Sequence, residues 1–194
     1  MAIVTSDWWH KSIIACVCFI VCLSATAKDS TLADHPSISM LLPAISARIA
    51  VADQVALTKW DHQRPVFDEE RETAVIGEVR RLAPNYGLDK ADVASFFQAQ
   101  IEANKWVQYQ DLNRWQLRGR APTTNRPDLA QLRNHLDALQ SMILQHLSAA
   151  SQWRSMPTCR AATAHAVAQY AQHAHLDALH HRALIRAMGD FCHR

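Results

Sequence analysis

The sequence predicts an all-α protein: a single-domain helical bundle with a long central helix and a disulfide-stapled C-terminal helical hairpin. Three observations carry that expectation. Apolar residues recur at helical spacing over long stretches and seldom alternate with polar ones. Ala, Leu, Gln, Arg and His dominate, while Gly is scarce, with four in 194 residues. Turn signals are few and fall between the periodic stretches. The chain is long enough to bury a substantial core. Its formal charge of +2 comes with no basic run and no interleaving of basic and aromatic residues, so nothing points to nucleic acid.

The N-terminal segment stands apart. "SIIACVCFIVCLSATA" follows Lys11 as an apolar run ending in the small-residue pattern Ala25-Thr26-Ala27. At roughly a dozen residues the run is short for a bilayer span. It predicts a secretory signal over 1–27, cleaved near Ala27, with no stable membrane anchoring and a mature domain over 28–194. The chain is then exported, to the periplasm or beyond. Removing the signal leaves two of the five cysteines, Cys159 and Cys192. Two cysteines in an exported chain are expected to pair.

Five helical stretches follow. The first covers about 36–62 and ends at Arg64-Pro65. The second covers about 67–83 and ends at "PNYG". Asp89 is a suitable N-cap for the third, which runs to about residue 118 and is long enough to be the spine of a bundle. "RGRAPTTNRP" reads as a loop, and Pro127 takes a first-turn position of a fourth helix reaching about Trp153. The last part, 157–192, is helical with a break near 173–176. Cys159 begins it and Cys192 ends it, which suits a stapled hairpin.

Several of these helices turn charges inward. At about 100° per residue, Leu41, Ile45, Arg48, Ala52, Val55 and Lys59 form one stripe of the first helix, with Asp53 and Gln54 opposite. On the second, Asp68, Arg71, Glu72, Val75, Val79 and Leu82 share a face. On the third, Asn104 and Gln108 sit among Phe97, Ile101, Leu112 and Trp115. On the fourth, Arg133 lies on the shoulder of a stripe of Leu129, Leu132, Leu136, Leu139 and Ile143.

An unpaired buried charge costs several kcal/mol. The inward set is Arg48, Lys59, Arg71 and Arg133 against Asp68 and Glu72. If these groups converge, their excess positive charge complements a small dianion. No nucleophile–base–orienter set accompanies them, so the chemistry is binding, or a reaction that needs only orientation and electrostatics. The late histidines, His165, His173, His175, His180, His181 and His193, show no metal-binding spacing and read as solvated faces, with no metal site.

The segments "RIAVADQVALTKW", "RPVFDEERE" and "IEANKWVQY" resemble the all-helical chorismate mutases, in particular their exported subclass. The resemblance covers nearly the whole mature chain. It implies conversion of chorismate to prephenate, a [3,3] rearrangement with no cofactor and no covalent intermediate, in a homodimer. Arg48 and Arg71 would hold the substrate carboxylates. Lys59 would meet a carboxylate and the ether oxygen, and Gln108 would donate to that same oxygen. Glu72 and the backbone near Asp68 would take the ring hydroxyl, and Asn104 would sit near a carboxylate. Arg133 matches the fourth-helix arginine with which the exported subclass completes its site within one chain.

There are departures from the family. Some relatives carry Glu where this chain has Gln108 and must protonate it, so activity here is expected to stay flat from acid to mildly alkaline pH. Val75 and Asn104 stand where relatives often have Gln and Ser or Thr. The alternatives are an isochorismate pyruvate lyase on the same fold and a non-catalytic exported helical interaction protein.

Overall fold

The computed structural model describes residues 36–126 and 128–193. The expected signal over 1–27 and the Pro127 position lie outside them. Helices account for all regular structure among the described residues.

The order is α1 (Pro36–His62), α2 (Glu69–Leu82), a 3₁₀ turn (Ala83–Tyr86), α3 (Lys90–Arg118), α4 (Leu129–Ala149), α5 (Ser151–Arg154), α6 (Cys159–His173) and α7 (Ala178–Ala187). Local chemistry sets these bounds. Asp68, Asp89, Asp128 and Asp177 each cap the helix that follows, accepting from its first free N–H groups. Gly87 and Gly119 adopt left-handed backbone, with φ of 66° at both, and close the 3₁₀ turn and α3.

The fourth stretch differs from expectation. It does not run unbroken to Trp153: α4 ends at Ala149 and the short α5 follows.

At 29 residues, α3 is about 44 Å long and forms the spine. It packs against α1, α2 and α7, while α1 packs also on α4, α6 and α7. The main core gathers Leu41, Ile45 and Ile49 of α1, Phe96, Phe97 and Val107 of α3, Ile143, Leu144 and Leu147 of α4, and Leu184 and Ala187 of α7. Much of α1 is long and apolar enough to cross a membrane. Here that apolar surface is the inward face of a core helix.

The hairpin of α6 and α7 is fastened three ways. Cys159 and Cys192 form a disulfide, with Cα atoms 5.9 Å apart. Closing a loop of that length is worth about 3–4 kcal/mol in the chain-entropy treatment. Arg154, with a side chain 1% exposed, donates to both Asp92 oxygens at 2.6 and 2.9 Å and to the Phe191 carbonyl at 2.6 Å. Its guanidinium also lies near the rings of Phe96 and Phe191. Gln100 of α3 donates to the carbonyl of Ala187 at 2.6 Å.

His180 corrects the reading of the late histidines as solvated faces. It is half-buried, and its ring lies 3.1 Å from Asp53 of α1 and 2.9 Å from Asp177. The hydrogen bond to Asp53 above all, with Asp177 adding, pushes its pKa up to about 9. Asp53 neighbours the buried Asp111 of α3, whose carboxyl rises to about 6 through burial and the adjacent Asp53. Asp53, placed on the outer side of the first helix by periodicity, is therefore an anchor point for α7.

Candidate active site

A cavity of about 320 Å³ lies where α1, α2, α3 and α4 meet. The eight residues expected to contact substrate, Arg48, Lys59, Asp68, Arg71, Glu72, Asn104, Gln108 and Arg133, all line it. So do Lys105, Arg64 and Phe67, which the sequence reading missed. The lining thus holds six cations and two carboxylates, a stronger positive excess than the four against two read from sequence.

From α1, Arg48 enters a buried position, with its guanidinium 5.8 Å from the centre of the Phe97 ring. Its Nε is buried without a partner. Burial, with Arg71 beside it, lowers its pKa to about 10, while Asp137 opposes the shift. Three turns on, Lys59 is half-buried. Burial lowers its pKa more than Asp68 and Glu72 restore it, and nearby Lys105 lowers it further. Its Nζ donates to the carbonyl of Val66 in the loop between α1 and α2, which fixes the ammonium at the cavity wall.

The N-terminus of α2 brings three charges. Asp68 is spent as the cap, accepting from the Arg71 backbone at 3.0 Å. Arg71 reaches across to Asp137 of α4 at 3.4 Å. Glu72 faces Lys105 at 3.1 Å, and Lys105 also meets Glu102 at 2.9 Å. Phe67, more than half exposed, lies with its ring 5.4 Å from the Lys105 ammonium.

From α3 come two amides. Asn104 Nδ2 donates to the carbonyl of Arg48 at 3.1 Å, and Asn104 Oδ1 accepts from Gln108 Nε2 at 2.6 Å. Gln108 is buried, and its Oε1 has no partner. Arg133 of α4 completes the ring from an exposed position.

The missed residues left uneven signals. Lys105 is four residues past Ile101 and three before Gln108, so helical spacing puts it at the edge of the same stripe. Asp137 is one turn beyond Arg133. Arg64 lies in a loop, where periodicity says nothing.

Among the described residues the lining includes no Ser, Cys, Tyr or His, and its one hydroxyl, Thr58, donates to the Gln54 carbonyl with no base beside it. What the walls offer is fixed positive charge and amide donors in a partly buried space. Such a site binds a small polyanion and stabilises negative charge that develops on it.

An all-helical bundle with a strongly cationic cavity at the meeting of four helices defines a class of anion-handling enzyme. Comparison with known proteins places the chain within that class. Residues 39–109 match the family model described as chorismate mutase type II. A secreted chorismate mutase of Mycobacterium tuberculosis is 30% identical over 152 residues, 78% of this chain and 76% of that protein. The crystal structure of a chorismate mutase from Burkholderia phymatum superposes with a TM-score of 0.81 at 43% identity, covering 84% of this chain and 99% of the other. That of a chorismate mutase from Burkholderia thailandensis gives 0.78 at 30% identity, covering 81% and 100%. The chain belongs to the chorismate mutase family.

Proposed function

We propose that the protein is an exported chorismate mutase that converts chorismate to prephenate without a cofactor. The observation that carries this reading is the convergence of Arg48, Lys59, Arg71 and Arg133, from three helices, on one cavity whose described lining has no Ser, Cys or His. Chorismate carries two carboxylates, and its rearrangement needs no bond to the protein. As the C–O bond lengthens, negative charge grows on the ether oxygen, and the ring becomes correspondingly positive.

Arg48 and Arg71 hold the carboxylates. The unpartnered Nε of Arg48 supports this, since a buried donor without an acceptor costs about 1–3 kcal/mol that an incoming carboxylate recovers. Arg71 exchanges Asp137 for substrate. Lys59 and Gln108 face the ether oxygen. Glu72, steadied by Lys105, accepts from the ring hydroxyl beside Asp68, and Arg133 closes the open side. Holding the compact diaxial conformer supplies orientation, and the fixed donors supply electrostatic stabilisation.

The apolar run ending at Ala27, the disulfide, and relatives named as secreted support a cleaved signal and a mature domain over 28–194. A homodimer is proposed from the family resemblance.

Purified mature protein incubated with chorismate, and separately with isochorismate, tests the function. Prephenate from chorismate supports it. Salicylate and pyruvate from isochorismate assign the lyase instead, and turnover of neither leaves an interaction protein.

A further inference from the structure

We propose that Asn104 is a positioning residue that acts through Gln108 rather than a grip on a substrate carboxylate. This rests on the chorismate mutase reading and refines the roles within that site.

Hydrogen-bond polarity fixes the orientation of both amides. The Arg48 carbonyl can only accept, so the Asn104 group 3.1 Å from it is the amide nitrogen. That turns Oδ1 of Asn104 the other way, toward Gln108 at 2.6 Å. Oδ1 also can only accept, so Gln108 presents its own nitrogen there. A backbone carbonyl of α1 thereby dictates the orientation of a side chain one turn further along α3.

The unpartnered, buried Oε1 of Gln108 fits the same account. A free amide would rotate its oxygen toward the cations of the cavity, and the bond to Asn104 resists that rotation. The Gln108 nitrogen carries two hydrogens. Asn104 takes one, and the other remains for the ether oxygen. Asn104 spends one hydrogen on the Arg48 carbonyl and its oxygen on Gln108, so at most one hydrogen is left for a carboxylate, against the two-point grip an arginine offers.

The test is a double-mutant cycle on kcat and KM with chorismate: Asn104→Leu, Gln108→Ala and both together. A positioning role lowers kcat of Asn104→Leu about 10- to 100-fold with KM within about twofold, a loss below the 10²–10³ of removing the donor itself. In the Gln108→Ala background the same substitution then changes kcat less than about twofold. A KM that rises about tenfold with kcat retained, a kcat loss that multiplies with that of Gln108→Ala, or no effect at all overturns the assignment. Asn104→Ala runs through the same cycle should Asn104→Leu fail to fold. Wild-type protein measured first separates the two claims. No turnover overturns the chorismate reading and this assignment with it, whereas turnover with multiplying losses overturns the assignment alone.

Discussion

Replacing Gln108 by Glu exchanges one NH₂ for one oxygen at nearly constant volume, at a position 4% exposed. The exchange asks a sharp question of the site. An ionised Glu has no hydrogen for the ether oxygen, and it sets a carboxylate against Asn104 Oδ1, 2.6 Å from the present nitrogen. Loss of one such donor costs about 10²–10³ in kcat, or about 2.7–4 kcal/mol. A protonated Glu recovers a donor.

The variant should therefore work in acid and lose rate about tenfold per pH unit above its titration, levelling off about 10²–10³ below its maximum. Burial raises such a carboxyl, as Asp111 shows at about 6. Arg48 and Lys59 pull it down, which holds the titration on the acid side of neutrality. The wild-type amide does not titrate, and its profile should be flat from about pH 5 to 8. Steady-state kcat for both proteins, followed by chorismate loss and prephenate gain across that range, decides the matter. A Gln108→Glu protein with a flat profile at the wild-type rate, or a wild-type protein that fails steeply near neutrality, would refute the donor role.

Further outcomes can be measured alongside. Lys59→Ala should lower kcat/KM by about 10²–10³ or more, since it removes both a carboxylate partner and a donor to the breaking bond; a change below about tenfold would show that Lys59 does not face the reacting oxygen. Arg154→Ala strands the Phe191 carbonyl and leaves Asp92 with His193 at 3.3 Å and partial solvent, so the cost sits at or below the lower end of the about 3–5 kcal/mol for breaking a buried pair. Thermal unfolding should drop by about 4–12 °C, and an unchanged Tm would deny Arg154 its fastening role. His180 titrates in the fold at about 9, above its ordinary value of 6.5. Its contribution to stability is thus complete below about pH 6.5 and lost as pH rises through 9. His180→Asn should lower Tm at pH 6 and flatten its decline toward pH 9.5; parallel curves for the two proteins would rule the contribution out.

Much of this site was legible in the sequence because helical periodicity reports direction. Arg48 and Lys59 sit eleven residues apart on the stripe of Leu41 and Ile45, so burial of one predicts burial of the other. Asn104 and Gln108 are one turn apart and announced themselves the same way. The one cap read from the sequence, Asp89, placed the start of α3 correctly. Periodicity gives a direction around one helix axis, however, and not the identity of the neighbour found there. Asp53 pointed away from the cavity as expected, yet it points at His180, 127 residues later. Arg154 and Asp92 are 62 residues apart and look like ordinary surface charges along the chain. The bend at Ala150 carries no Gly or Pro; α5 turns where Arg154 is drawn to Asp92, a tertiary pull with no local signature.

Gln100, Asn104 and Gln108 form a ladder of amides up one side of α3, and each rung has a different duty. The lowest is tied to α7, the middle to α1, and the highest lines the cavity. The two ties act like pegs on a shaft and set the roll of α3 about its own axis. A side-chain tip rides about 5–6 Å from that axis, so a roll of about 10° carries Gln108 about 1 Å sideways, a slip that can cost about 10² in rate. The aim of Gln108 into the cavity is thereby governed partly from lower down the spine, where Gln100 meets the end of a hairpin that contributes none of the described lining residues.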